Sequence, residues 1–284
     1  MLQLAETRCL LVRQDAGLFV SSAVCGVPAA RPTLRPTTTF HEEIFEASIN
    51  DDGDVIIEDA SRLRACVRGG ARWLPVRVVA RTPTWTAFRD DVLEYAANRG
   101  GTYAPVLHVD MLDVPSWHRY DRFEIIRKHM SPSSQTILDI GAHWGYMCEQ
   151  FERIGKTCTA VEDDRWWLKF LTKLRRAQSL TYTVLPVSVF SLAEQNTDVV
   201  LALNVFHHFI KNRDQHAQLV ELLGRLHFKE MFFSAHQTDE PQMADAYRNY
   251  RPEEFAAFVA KHAGATTVTD LGVCDGRNMY YLAM

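Results

Sequence analysis

Two carboxylates, two glycines and three histidines are spaced in this chain as a small-molecule site would need them. The run "TILDIGAHWGY", from Thr136, is apolar up to Asp139, and glycines follow at Gly141 and Gly145. A second apolar run, "TCTAV" from Thr157, leads to Glu162, which lies 21 residues (162 − 141) beyond the first glycine. An acid about 20 residues past such a glycine turn is where ribose hydroxyls are held. A carboxylate suits that task because it accepts from both hydroxyls at once. Gly141 lets the main chain approach a ligand, and Gly145 permits tight packing where a helix begins. Further on, "NVFHHF" places His207 and His208 after another apolar run, and "FFSAHQ" places His236 after the next. Imidazoles titrate near neutral pH, so they suit removal of a proton from a hydroxyl.

The glycine pattern discriminates between cofactors. A dinucleotide asks for G-x-G-x-x-G, which seats a pyrophosphate on a helix N-terminus. Here the spacing is G-x-x-x-G, and His143 stands where a second glycine would be. Asp139 directly before the turn would repel a pyrophosphate. It suits a cationic nucleoside bearing an amino group. S-adenosylmethionine has a sulfonium, an α-ammonium and a ribose, and no phosphate.

The elements that must position these residues alternate in type. From Thr136 the pattern predicts strands at Thr136–Ile140, Thr157–Val161, about Tyr182–Leu185, Asp198–Leu203 and Glu230–Ser234. Helices run between most of them, at about Tyr146–Ile154, over "DDRWWLKFLTKLRRAQ", and at about Asp214–Leu226. Asp163 and Asp164 open the second helix, where acids suit the dipole. Pro252 stands in the first turn of a helix that ends at Gly264. Two last strands, Thr266–Leu271 and Asn278–Leu282, flank a turn at Asp275-Gly276. The expected fold class is α/β: a doubly wound, mostly parallel seven-stranded sheet whose last strand is antiparallel, with a smaller β-rich α+β domain before it. In that smaller region "CLLVRQDAGLFVSSAV" reads as strand with Gly17 in a turn. "INDDGDVIIEDA" reads as a turn followed by a strand, and Pro28, Pro32 and Pro36 mark a loop. A helix capped by Thr84 carries Trp85, Phe88, Val92, Tyr95 and Ala96 on one face and stops at Gly100-Gly101. The expected domains are 1–100, shaping the acceptor pocket; 101–135, a lid and connecting helix; and 136–284, the cofactor-binding domain.

"LDIGAHWGY", "AVED" and "LALNVFHHF" resemble the first, second and fourth strand motifs of class I S-adenosylmethionine-dependent methyltransferases, over about Tyr120 to Met284. The usual first motif is DxGxGxG, from which this chain departs at His143. The resemblance implies that Asp139, Gly141 and Ala142 line the methionine moiety, with Gly145 closing the turn, and that Glu162 holds the ribose. It further implies that Asn204 lies near the sulfonium and that adenine lies between Asp163 and the loop at Ser188-Val189. Tyr120, Arg122, Trp144 and Tyr146 are candidates to contact substrate or the cofactor carboxylate. These aromatics can equally serve to join the accessory region to the main domain.

His207, His208 and His236 around one crevice favour O-methylation of a small polar molecule, such as a sugar or natural-product hydroxyl. His208 is the preferred base and His236 a helper, and paired histidines here also look like those of small-molecule and sugar O-methyltransferases. No DPPY-like sequence and no Pro-Cys nucleophile follow the fourth strand, which argues against nucleobase amino and pyrimidine carbon methylation. No spaced trio of acids and an Asn suggests a catechol-type magnesium site; His/Asp pairs could still bind a metal, and none is assigned. Two alternatives stay open: a tRNA-modifying enzyme, from a loose likeness around "WHRYDRF", and a non-catalytic binding module. With 284 residues, 47% of them hydrophobic, and a formal net charge of −4, the chain has ample core and no broad basic surface for nucleic acid. The six cysteines show no zinc or CxxC spacing, so they read as reduced thiols of a cytoplasmic protein. No apolar stretch reaches the ~18 residues of a membrane span, so no membrane partner is expected. The apolar segment from Ala16 to Ala30 is only a faint echo of a signal peptide. Oligomeric state is not encoded in any pattern here.

Overall fold

A computed structural model of the chain describes residues 2–3, 12–14, 17–21, 44–57, 59, 61–63, 65, 73–117 and 121–284. The prolines at 28, 32 and 36, Tyr120, and most of the Ala16–Ala30 segment lie outside them. Contacts divide the chain into two units. One comprises 1–119 with 170–181, and the other 120–169 with 182–284.

The first unit is built on six strands: β1 (Leu2–Gln3), β2 (Val12–Gln14), β3 (Gly17–Ser21), β4 (Phe45–Ile49), β5 (Val55–Ile57) and β6 (Trp73–Arg81). Their order is β1-β5-β4-β6-β3-β2, antiparallel except between β4 and β6. Gly17 opens β3 and is paired with Gln14. Helix α1 (Pro83–Arg99) follows. Its cap is Thr82 rather than Thr84, because Pro83 takes the first helical position, where a missing N–H costs nothing. Gly100, at φ 73°, ends it in the left-handed conformation that glycine adopts freely. Trp85, Phe88, Val92 and Ala96 are buried along one face. The buried Asp110 ties this unit together, accepting from Trp85 Nε1 at 2.9 Å and Arg81 Nε at 2.7 Å.

The second unit begins with α2 (Asp121–His129), β7 (Thr136–Ile140), α3 (Tyr146–Arg153) and β8 (Thr157–Val161). Helix α4 (Arg165–Ala177) is divided between the units at Phe170. It starts after Asp164, whose Oδ1 accepts from Trp166 N at 2.7 Å. There follow β9 (Thr183–Leu185), β10 (Gln195–Asn196), β11 (Val199–Ala202), a short helix α5 (Phe206–Phe209), α6 (Arg213–Arg225) and β12 (Leu226–His227). The chain ends with β13 (Glu230–Ala235), α7 (Pro252–Ala263), β14 (Thr267–Cys274) and β15 (Arg277–Ala283).

Seven strands form one sheet in the order β14-β15-β13-β11-β7-β8-β9. β15 runs antiparallel to both neighbours, and the rest are parallel. Asp275 and Gly276, both at positive φ, make the tight turn between β14 and β15, as an Asp-Gly pair does in a two-residue hairpin. β11 is buried at every position, as expected of a strand covered on both faces. Phe206, Phe233 and Phe255 anchor the core on one side of the sheet and are fully buried. Truncating any of them to alanine would cost about 3–5 kcal/mol. The chain winds from β7 outward through β8 and β9, then returns to β11 on the other side of β7. The winding therefore reverses between β7 and β11, and a crevice forms at the carboxyl ends of those strands.

Candidate active site at the carboxyl edge of the sheet

Asp139 sits at the end of β7, with 4% of its surface exposed. Its one hydrogen-bond donor among the described residues is the thiol of Cys148, at 3.7 Å from Oδ2. Burial raises its pKa to about 7, and the nearby charge of Glu162 pushes the same way. The next turn is shaped by main-chain bonds: the N–H groups of Gly141 and Ala142 both donate to Val161 O at 3.0 Å. Gly141 has φ 71°, and a Cβ there would lie 3.0 Å from Val205 Cγ2, so glycine is required for conformation and for space.

His143 explains the departure from DxGxGxG. Its φ of 55° is the left-handed conformation that a glycine would supply, and histidine is among the residues that tolerate it. The side chain is used for packing, stacked on Trp167 with ring centroids 3.7 Å apart, and burial holds the imidazole neutral by lowering its pKa to about 3. Gly145, at φ 86°, then starts α3.

Glu162 stands at the tip of β8 and is largely buried. Its Oε2 accepts from His143 N at 2.8 Å, and its Oε1 from Asp163 N and Asp164 N, each at 3.0 Å. A carboxylate offers about four acceptor positions, so one remains, on Oε2, for a ribose hydroxyl. Burial raises the pKa of Glu162 while these three N–H groups oppose the rise. Asp163 is exposed, and its main chain rather than its side chain serves Glu162. Ser188 precedes a 3₁₀ turn in which Val189 is buried. Asn204 follows β11 at φ 57°. Trp144 and Tyr146 are buried beside the glycine turn, and Arg122 is buried with its guanidinium on Asp275 Oδ2 at 3.0 Å. Tyr120 lies outside the described residues.

The donor set fits a cationic nucleoside. A buried, sparsely satisfied carboxylate faces the reversal point, a second carboxylate retains one acceptor position, and no Cβ obstructs the turn between them. Asp139, Gly141, Ala142 and Glu162 would hold such a group.

Past Asn204, His207 and His208 lie side by side on α5, ring centroids 3.9 Å apart, and His236 is 6.3 Å from His207. His207 is buried and its Nδ1 accepts from Arg277 at 3.4 Å. His208 Nδ1 accepts from Lys211 Nζ at 3.4 Å. Both imidazoles are pushed well below their ordinary range, His208 to about 4, first by enclosure and then by neighbouring positive charge. By surface area His208 is nonetheless exposed, unlike His207. His236 is fully buried and bonded through Nε2 to Asn249 Oδ1 at 3.0 Å. Glu240, on the segment after β13, pairs with Arg277. Lys211, Glu240, Gln242 and Arg277 carry no local motif. Only Lys211, four and three residues after the two histidines, follows a spacing that helical periodicity could have flagged.

A family model described as a methyltransferase domain matches residues 138–226. No curated protein matches the chain. Among solved structures, the bifunctional kinase-methyltransferase WbdD is similar with a TM-score of 0.55 at 15% identity, over 67% of this chain and 46% of that one. Magnesium protoporphyrin IX methyltransferase (ChlM) from Synechocystis PCC 6803, with SAM bound, gives a TM-score of 0.43 at 11% identity, over 57% of this chain and 74% of that one. The N-terminal domain of EvdMO1, with SAH bound, gives 0.43 at 15% identity, over 57% and 78%. This chain spans just under half the length of WbdD, and the likeness is one of fold. The matched residues run from β7 to β12 and so contain the glycine turn, Glu162 and the paired histidines. Residues 138–226 thus match a methyltransferase domain, the strand order around them is Rossmann-like, and the crevice at its carboxyl edge carries a donor set that fits S-adenosylmethionine.

Proposed function

We propose that this chain methylates a hydroxyl group of a small polar molecule, such as a sugar or a natural product, with His208 as the general base. The observation that supports this most directly is the position of His207 and His208, directly after β11 and its Asn204, at the reversal point where Asp139 and Gly141 form the nucleoside cradle. S-adenosylmethionine, when bound, supplies an electrophilic methyl group whose carbon–sulfur electron pair stays with sulfur as the acceptor oxygen bonds to the carbon. The protein must then align the acceptor, exclude water and take up the hydroxyl proton. His208 is uncharged at neutral pH and exposed, so its Nδ1 can receive a proton from a bound molecule once Lys211 releases it. His207 is enclosed and held by Arg277, and its part is to orient the neighbouring ring and the short helix.

The test uses tritiated S-adenosylmethionine and fractionated cell extract as the acceptor source. His208→Ala should retain calorimetric binding of S-adenosylhomocysteine and lose at least 100-fold in label transfer. Unaltered transfer would remove His208 from the reaction. Absence of S-adenosylhomocysteine binding by the wild type would point to a non-catalytic module.

A further inference from the structure

The charges around the paired histidines do not balance. Two cations, Lys211 and Arg277, and one carboxylate, Glu240, make up the polar cluster beside His207 and His208. The carboxylate is saturated. Its Oε1 accepts from Arg277 Nε at 2.8 Å and Gln237 N at 2.9 Å, and its Oε2 from Arg277 Nη2 and from Gln242 Nε2 at 2.7 Å. Four donors fill the roughly four acceptor positions a carboxylate has. Lys211 is therefore left with neutral acceptors, Gln242 Oε1 at 3.0 Å and His208 Nδ1 at 3.4 Å. An ammonium has three protons to place, and the described residues accept two.

The imidazoles add donors rather than charge compensation. Arginine and lysine only donate, so Nδ1 of His207 and of His208 must accept, and each neutral ring carries its proton on Nε2. The cluster thus shows an incoming molecule one uncompensated positive charge and a set of N–H groups. The cofactor's one carboxylate belongs to its methionine end, which the turn at Asp139, Gly141 and Ala142 would hold, and its sulfur, on the side of the histidines, brings a further positive charge.

We propose that the methyl acceptor carries an anionic oxygen group, a carboxylate or a phosphate, that docks on Lys211 beside His208. This rests on the hydroxyl-methylation reading above and narrows its substrate class. It also resolves a difficulty in that reading. With Lys211 on its Nδ1 and a proton on Nε2, His208 has no free lone pair for a hydroxyl proton. An anion that draws Lys211 aside frees Nδ1, and its charge raises the basicity of the ring. Acceptor binding and base activation become one event.

Inorganic phosphate and sodium acetate, titrated separately into the full chain with and without S-adenosylhomocysteine, test this by calorimetry and by NMR of the histidine rings. At least one anion should bind and move the His208 titration to higher pH, and Lys211→Met should weaken that binding tenfold or more while Lys211→Arg restores it. Binding of phosphate alone, or of acetate alone, assigns the group. Failure of both anions to bind, or equal binding by Lys211→Met, overturns the proposal. S-adenosylhomocysteine binding is read in the same titrations. Its absence would sink the methyltransferase reading, while the anion titrations would still decide whether Lys211 holds an anion. Labelled product from the extract assay should be retained on an anion exchanger at neutral pH, and a neutral product would count against the proposal.

Discussion

The main-chain N–H of His143 donates to Glu162 Oε2 at 2.8 Å, which ties the turn after β7 to the tip of β8. Glu162 is thus part of the turn's own structure before any nucleoside is bound. Glu162→Gln keeps the shape but puts an NH₂ where one oxygen stood, facing at least one N–H donor. A buried donor left unmatched costs about 1–3 kcal/mol. Glu162→Gln should lower Tm by several degrees and weaken S-adenosylhomocysteine binding at least tenfold, read by differential scanning calorimetry and titration calorimetry. Unchanged affinity would show that the turn does not depend on this carboxylate.

His143 is held in a left-handed conformation that costs a non-glycine residue roughly 1 kcal/mol. His143→Gly removes that strain and restores the usual motif, but gives up the stack on Trp167. The two effects are of similar size, since an aromatic pair contributes about 0.5–1.5 kcal/mol. Stability should change by less than about 1 kcal/mol, and cofactor affinity should hold within threefold. A larger loss of affinity in the same titration would mean that the imidazole itself contacts the ligand.

The parts of the site that lie along single segments were legible in the sequence, because a strand that ends in an acid writes its own boundary. Asp139 and Glu162 end apolar runs whose register the sheet preserves, with Asp139 opposite Ala160. The paired histidines were legible for the same reason, following directly on the buried strand β11. The charged network around those histidines was not. Lys211, Glu240 and Arg277 come from three segments separated by a helix, a strand or a turn, and only the antiparallel return of β15 brings Arg277 to the edge where α5 ends. The stack of His143 on Trp167, 24 residues apart (167 − 143), likewise depends on how α4 leaves β8. The cap of α1 was misplaced by two residues because a threonine on each side of Pro83 satisfies the same composition rule.

Asp139 predicts a pH dependence with a definite sign. Its pKa is raised by burial from the usual carboxylate value to about 7. Between about pH 4 and pH 7 the unfolded chain has lost this proton and the folded chain keeps it. The free protein therefore loses stability as pH rises through that window, by up to about 4 kcal/mol from this group. A cationic ligand favours the ionised form, so S-adenosylmethionine binding should release a proton below pH 7 and tighten with rising pH, then level off above it. Calorimetry in buffers of different ionisation enthalpy reads the proton directly. Asp139→Asn should abolish both the proton release and the slope, and retention of the slope in that variant would assign it to another group.

We propose that His236 positions the site rather than moving a proton, from its hydrogen-bond geometry. Asn249 Nδ2 faces two carbonyls, Thr238 O at 2.9 Å and Met243 O at 3.4 Å, neither of which can donate. Its Oδ1 must then accept from His236, which fixes the imidazole proton on Nε2. Nδ1 is buried with no hydrogen-bond partner among the described residues, and burial lowers the pKa of the ring, so it stays neutral. What it holds is the segment between β13 and α7, which carries Glu240 and Gln242 against Arg277 and Lys211. His236→Gln retains a donor for Asn249 and should keep Tm within a few degrees and kcat within tenfold. His236→Ala empties a fully buried position packed against Phe255 and should cost about 2–5 kcal/mol. Its kcat should fall while the pH profile keeps its shape, because the titrating base is elsewhere. A His236→Gln variant with unchanged Tm, a kcat lowered 100-fold and a lost acidic limb would instead make this imidazole the base.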